Sequence, residues 1–117
     1  MSNVAEMNLA ELQTRALRAS GLLKAMSNPV RLLVLCQLAE SEKSVGELER
    51  VVDVSQSALS QHLALLRSRG LVKFRREAQT LYYSLAGREA ATLLAALYQI
   101  YCAAGSKPGR RRALAAA

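Results

Sequence analysis

The stretch Ser44–Leu85, SVGELERVVDVSQSALSQHLALLRSRGLVKFRREAQTLYYSL, holds two short amphipathic helices followed by a basic run that alternates like a hairpin. Ser44 can cap the free N–H groups of the first helix while Glu47 reaches back to complete an S-x-x-E capping box, which predicts a helix running to about Val52. Asp53 and Val54 form the turn. Ser55 then offers a second N-cap, and Leu59, Leu63 and Leu66 repeat at the spacing of a core stripe. Gly70 supplies a stop for this second helix. Two helices of these lengths joined by so short a turn match helix-turn-helix geometry.

The face of the second helix opposite the leucines carries Gln56, Ser57, Ser60 and Gln61. Such side chains donate to and accept from base edges or phosphates when a helix enters a major groove, and they equally suit a solvated face. The two-helix spacing favours the groove. His62 is expected either near DNA or packed against a neighbouring helix.

Beyond Gly70, Leu71–Arg76 and Thr80–Leu85 read as two strands around a turn at Glu77, Ala78 and Gln79, forming a wing. Lys73, Arg75 and Arg76 follow closely on Arg67 and Arg69, a cluster suited to phosphates flanking a groove. Charged residues also blunt an edge strand against aggregation, and both roles can coexist. The expected DNA-binding set is Gln56, Ser57, Ser60, Gln61, His62, Arg67, Lys73, Arg75, Arg76 and Gln79.

Around this centre lie three further helices. Leu9 to Met26 places Leu9, Leu12, Ala16, Ala19 and Leu23 on one face, with Asn8 as the cap. Asn28 and Pro29 separate it from a second helix ending near Ala39, since proline suits the first helical turn. Gly87 to about Ala104, rich in Ala, Leu and Tyr, reads as a last helix. The expected fold is mainly α, a winged helix-turn-helix of four helices, a two-stranded wing and a fifth helix. Residues 1–104 form the expected domain, and the breakers and cations of 105–117 predict a flexible basic tail.

Composition is consistent with a polyanionic partner. The 117 residues carry 16 basic and 9 acidic side chains, a formal charge of +7. One domain of this size has a modest core, so dimerisation would help bury apolar surface. No segment approaches the roughly 20 apolar residues needed to cross a bilayer. The polar, acidic N-terminus does not resemble a secretory signal, so the cytoplasm is the expected compartment and no membrane partner is expected.

From Ala25 to Leu85 the chain resembles the ArsR family of bacterial transcriptional repressors. The carrying motifs are AMSNPVRLLVLCQL at Ala25–Leu38, SQSALSQHLALLRSRGLV at Ser55–Val72 and LYYSL at Leu81–Leu85, in the family's order. The resemblance implies a homodimer joined mainly through the first and last helices and bound to double-stranded operator DNA.

The chain has two cysteines, Cys36 on the second helix and Cys102 on the last. Taken singly, each reads as a small buried hydrophobe, because a structural disulfide is uncommon in the cytosol. Together they resemble the persulfide-sensing branch of the family, the BigR and SqrR type, in which one cysteine on each of these helices reacts. By that resemblance the reduced protein binds its operator, while low-molecular-weight persulfides or polysulfides link Cys36 to Cys102 and lower DNA affinity. Inserted sulfur atoms tolerate a wider gap than a simple disulfide, a basis for selecting persulfides over peroxide. No cation adjoins either cysteine in sequence, so activation must come from tertiary neighbours, among which Tyr98 and Tyr101 are candidates.

Rival readings are a metal- or metalloid-responsive repressor and an anti-silencing regulator. Against a metal, the first helix-turn-helix helix has no C-x-C cluster, and the last helix has Glu89 but no histidine. No metal or other cofactor is expected. The absence of C-x-x-C, of a local Cys–His motif and of a cofactor loop argues against an enzyme.

Overall fold

The computed structural model describes residues 7–103, so the expected tail at 105–117 lies outside the described residues. Helix α1 spans Leu9–Met26, and Asn8 caps it by accepting from the Glu11 N–H at 2.8 Å. Helix α2 spans Pro29–Glu40, with Pro29 at its start and the Asn28 side chain accepting from the N–H groups of Val30 and Arg31. Its buried residues Leu33, Val34, Leu35 and Leu38 make it the central helix, against which α1 and the later elements pack.

Helix α3, Val45–Val51, begins at the expected capping box. The Glu47 N–H donates to Ser44 Oγ at 3.1 Å, and the Ser44 N–H donates to Glu47 Oε1 at 2.8 Å. The bonds satisfy two donors that a helix end otherwise leaves open, worth about 1 kcal/mol. Helix α4, Gln56–Ser68, is capped by Ser55 Oγ, which accepts from the Ala58 N–H. Leu59, Leu63 and Leu66 are all buried, each contributing about 1.5–3 kcal/mol through removal from water. Gly70, with φ +73°, takes the left-handed conformation that lets the chain leave α4 for the wing.

The sheet has three strands where the sequence predicts two. Strand β1 is Lys43–Ser44, β2 is Val72–Glu77 and β3 is Thr80–Leu85, in the antiparallel order β1-β3-β2. Ser44 thus pairs with Tyr82 and caps α3 as well, fixing the start of the helix-turn-helix on the wing. The turn is also one residue tighter than expected, because Glu77 pairs with Thr80 and leaves only Ala78 and Gln79 between the strands. Ala78 has φ +56°, the sign that a type II′ hairpin requires at its first central position. One face of the hairpin carries the pairs Val72 with Leu85, Phe74 with Tyr83 and Arg76 with Leu81. The Phe74 and Tyr83 rings lie 5.5 Å apart in a tilted arrangement, worth about 1 kcal/mol beyond the area they bury.

The last helix starts two residues later than expected and ends differently. Gly87 is left-handed at φ +73°, and α5 runs Glu89–Tyr98. A π-helical turn then covers Gln99–Ala103. This wider turn changes the phase of the residues it carries. Cys102 comes out buried, while Ile100 and Tyr101 remain 67 % and 69 % exposed.

Candidate DNA-binding interface

Helix α4 separates two kinds of side chain. Its leucines anchor it in the core, and Gln56, Ser57, Ser60 and Gln61 stand exposed on the outer side. Among the described residues, the side-chain hydrogen bonds of this segment come from Ser55, His62 and Ser68, which leaves the four outer residues free to pair elsewhere. Between α4 and the wing lies a groove of about 420 Å³, lined by residues including Gln56, Ser60, Arg67, Gln79 and Thr80.

The cations of the expected cluster divide between environments. Arg67 lies over the Phe74 ring, its guanidinium carbon 4.6 Å from the centroid, which orients it beside the wing. Arg76 shares the hairpin face of Phe74, and both it and Lys73 are exposed. Arg69 turns the other way, its guanidinium 3.0 Å from the point where a Cβ on Gly21 of α1 would sit.

Arg75 departs most from expectation. Its Nε and Nη2 donate to the two carboxylate oxygens of Glu42 at 2.9 and 2.8 Å, and Nη1 donates to Glu77 at 2.7 Å. The same guanidinium lies 4.6 Å from the Tyr82 ring centroid. The bonds to Glu42 and then Glu77 raise the Arg75 pKa further, and hydrogen bonding from Arg75 lowers that of Glu42. Arg75 therefore ties the wing to the loop after α2, and each of its three guanidinium nitrogens already bonds a carboxylate. Glu42 carries no local sequence signal for this role, since its partner is distant along the chain.

His62 is half-buried and faces α2 rather than the outer side of α4. Arg31 Nη1 lies 3.3 Å from His62 Nδ1, while Arg31 Nε donates to the Ala25 carbonyl at 2.6 Å and Nη2 to the Lys24 carbonyl at 3.3 Å. Burial, then the nearby Arg31 charge, lowers the His62 pKa. Of the two environments expected for His62, the structure shows helix packing.

The cysteines are both free, Cys36 half-buried and Cys102 buried. Burial raises the Cys36 pKa, and the charges of Cys102 and Glu40 add to that effect. Each of these influences disfavours the Cys36 thiolate. An apolar recess of about 390 Å³, lined by Met26, Pro29, Leu32 and Leu33, opens beside Cys36. Tyr98 and Tyr101 lie toward the surface, 38 % and 69 % exposed. Among the described residues, no group of three His, Cys, Asp or Glu side chains is arranged to hold a metal ion. No described helix is long and apolar enough to cross a membrane.

The family model described as bacterial regulatory protein, arsR family, matches residues 28–73. Transcriptional activator HlyU of Vibrio cholerae is 50% identical over 100 residues, which span 86% of this chain and 93% of that protein. The chain belongs to the arsR family. Reduced HlyU from the same organism has a TM-score of 0.77 to the arsR-family chain at 48% identity, covering 81% of this chain and 100% of that one. The transcriptional repressor BigR from Xylella fastidiosa gives a TM-score of 0.74 at 44% identity, covering 83% and 99%. A homodimeric winged helix-turn-helix DNA-binding domain from Mycobacterium bovis gives 0.69 at 29% identity, covering 82% and 88%. As an arsR-family winged helix-turn-helix protein, the chain is a DNA-binding transcriptional regulator and not an enzyme. The residues matched by the family model contain Arg31, Cys36 and all of α4, whereas Cys102 falls outside them.

Proposed function

We propose that this regulator is a homodimer whose α4 helices read operator DNA and whose Cys36 and Cys102 set its affinity in response to persulfides. The observation that carries the DNA part is the outer face of α4, where Gln56, Ser57, Ser60 and Gln61 stand exposed beside a basic wing. In a major groove these side chains meet base edges. Arg67, Lys73, Arg76 and Gln79 then lie against flanking phosphates, and Arg75 serves as the brace of the wing. Dimerisation through α1 and through α5 with its π-helical continuation is supported by the exposed Leu9, Leu23 and Ile100 and by the homodimeric M. bovis domain.

Splitting the two wing arginines tests this assignment. Arg76→Ala is expected to lower the slope of log affinity against log salt by about one per protomer, as loss of one phosphate contact does. Arg75→Ala is expected to change that slope by less than half as much. Filter-binding titrations from low to moderate salt read both, and equal slopes for the two variants would sink the division of roles.

The sensing part rests on two free thiols, Cys36 on α2 and Cys102 on the π-helical turn that continues α5, the helix packed against α2. The reaction balances without a further oxidant. One cysteine thiolate attacks the outer sulfur of a persulfide RS–SH, displacing RS⁻ and leaving a protein persulfide. The other thiolate attacks the protein-bound sulfur and expels HS⁻, so two electrons from the thiol pair reduce the sulfane sulfur to hydrosulfide. A longer polysulfide link forms when further sulfane sulfur is inserted. The link changes how α2 meets α5, and α2 in turn supports α4.

Mass spectrometry after parallel exposure to glutathione persulfide, glutathione disulfide and peroxide, with DNA binding read on the same samples, tests this step. The persulfide alone is expected to link Cys36 to Cys102 and weaken binding, whereas Cys36→Ser and Cys102→Ser bind DNA but do not respond. Because burial raises the Cys36 pKa, alkylation at this residue should accelerate as pH rises above neutral. A persulfide response that survives in both serine variants would overturn the proposal.

A further inference from the structure

We propose that Arg31 is a positioning residue for DNA reading, holding the recognition helix α4 in register through its bond to His62. The geometry joins three helices through one side chain. Nε and Nη2 of Arg31 bind the carbonyls of Ala25 and Lys24 at the end of α1, Arg31 itself stands on α2, and Nη1 meets His62 Nδ1 on α4. A cation at a helix C-terminus is also favoured by the helix dipole, so the α1 carbonyls fix the guanidinium in place. Its third nitrogen, Nη1, is thereby aimed at α4.

His62 is well placed to receive that constraint. It directly follows Gln61 on the exposed face and directly precedes Leu63 in the core. The leucine stripe holds one side of α4, but apolar packing is non-directional and leaves small rotations about the helix axis weakly opposed. A hydrogen bond on the flank is directional. The Arg31 bond therefore fixes the angle at which Gln56, Ser57, Ser60 and Gln61 are presented. The inference rests on DNA reading by α4 and is independent of the chemistry at Cys36 and Cys102.

The contact requires the neutral ring, with Nδ1 as acceptor and the proton on Nε2. Protonation would remove the acceptor and set two cations against each other. Arg31 on α2 is the charged group acting on the ring among the described residues, and Ala58 and Leu66, one turn to either side on α4, carry no charge. Since folding lowers the His62 pKa, the linkage is fully present above the unfolded value of about 6.5 and is lost as pH falls through the lower folded value.

The test uses full-length protein, a duplex selected by the wild-type protein from a random-sequence pool, and an unrelated duplex of equal length. Arg31→Met and His62→Ala are each expected to weaken binding to the selected duplex about tenfold, with the double variant no weaker than the worse single one. Binding to the unrelated duplex should change by less than about twofold, since phosphate contacts are retained. His62→Gln supplies a permanently neutral acceptor, so it should restore most of the affinity and abolish the fall in wild-type affinity that comes as pH drops through the lowered His62 pKa. Additive single effects, or an equal loss on both duplexes, would instead make Arg31 an independent or phosphate-contacting residue and overturn the proposal. Should Arg31→Met fail to fold by circular dichroism, the His62→Gln pH profile decides alone, and a profile matching wild type rejects the inference.

Discussion

Leu59→Ala is expected to lower folding stability by about 3 kcal/mol, because a fully buried leucine shortened to alanine loses its transfer free energy and leaves a cavity. In a domain of this size that corresponds to a fall of roughly 12–24 °C in melting temperature. Leu59 sits two positions from Gln61 on the same helix, yet the two variants should fail in opposite ways. Gln61→Ala, at an exposed position, should leave stability within about 0.5 kcal/mol of wild type. It should nevertheless reduce preference for the selected duplex by about 1–3 kcal/mol if the amide pairs with a base edge. Thermal unfolding at one fixed protein concentration, followed by binding at a temperature where both variants are folded, separates the effects. A Leu59→Ala protein as stable as wild type would contradict the anchoring of α4 by its leucine stripe.

A second large effect is expected at the surface of the isolated chain. Leu23 and Ile100 are 54 % and 67 % exposed, so placing glutamate at both positions should leave the core of one protomer intact. If α1 and α5 with its π-helical continuation form the dimer contact, the same double change buries like charges in the interface and produces a monomer. Binding to a two-part operator should then fall by about 100-fold or more, because the second α4 no longer acts at high effective concentration. Sedimentation equilibrium gives the oligomeric state, and titration of a half-site duplex provides the control. A Leu23→Glu, Ile100→Glu protein that remains dimeric would remove α1 and α5 as the proposed interface.

The parts of the fold legible in the sequence are those fixed by neighbours along the chain. The Ser44–Glu47 capping box, the Ser55 cap, the leucine stripe of α4 and the Gly70 stop are each determined within a few residues, and all appear in the structure. Strand β1 was not legible because two residues carry no periodicity, and only pairing with β3 defines them. The candidate site divides in the same way. Exposure of Gln56, Ser57, Ser60 and Gln61 followed from helical phase, but the charge run could not distinguish Arg75 from Arg76. That distinction depends on Glu42, far away in the chain and close only after folding. The same holds for Arg31 and His62, whose pairing follows from the crossing of α2 and α4. Cys36 and Cys102 stand out only through family resemblance, and what relates them is the packing of α2 against α5, whose π-helical continuation carries Cys102.

The double grip of Glu42 on Arg75 has a consequence for exchanging specificity between relatives. Residues 55–85 look like a portable cassette, since they contain both the recognition helix and the wing. A transplant limited to them would leave behind the carboxylate that braces the wing and the arginine that meets His62. Chimeras should therefore transfer DNA preference faithfully only when the host supplies matching residues at positions 31 and 42, making those two scaffold positions part of the inheritance of the reading head.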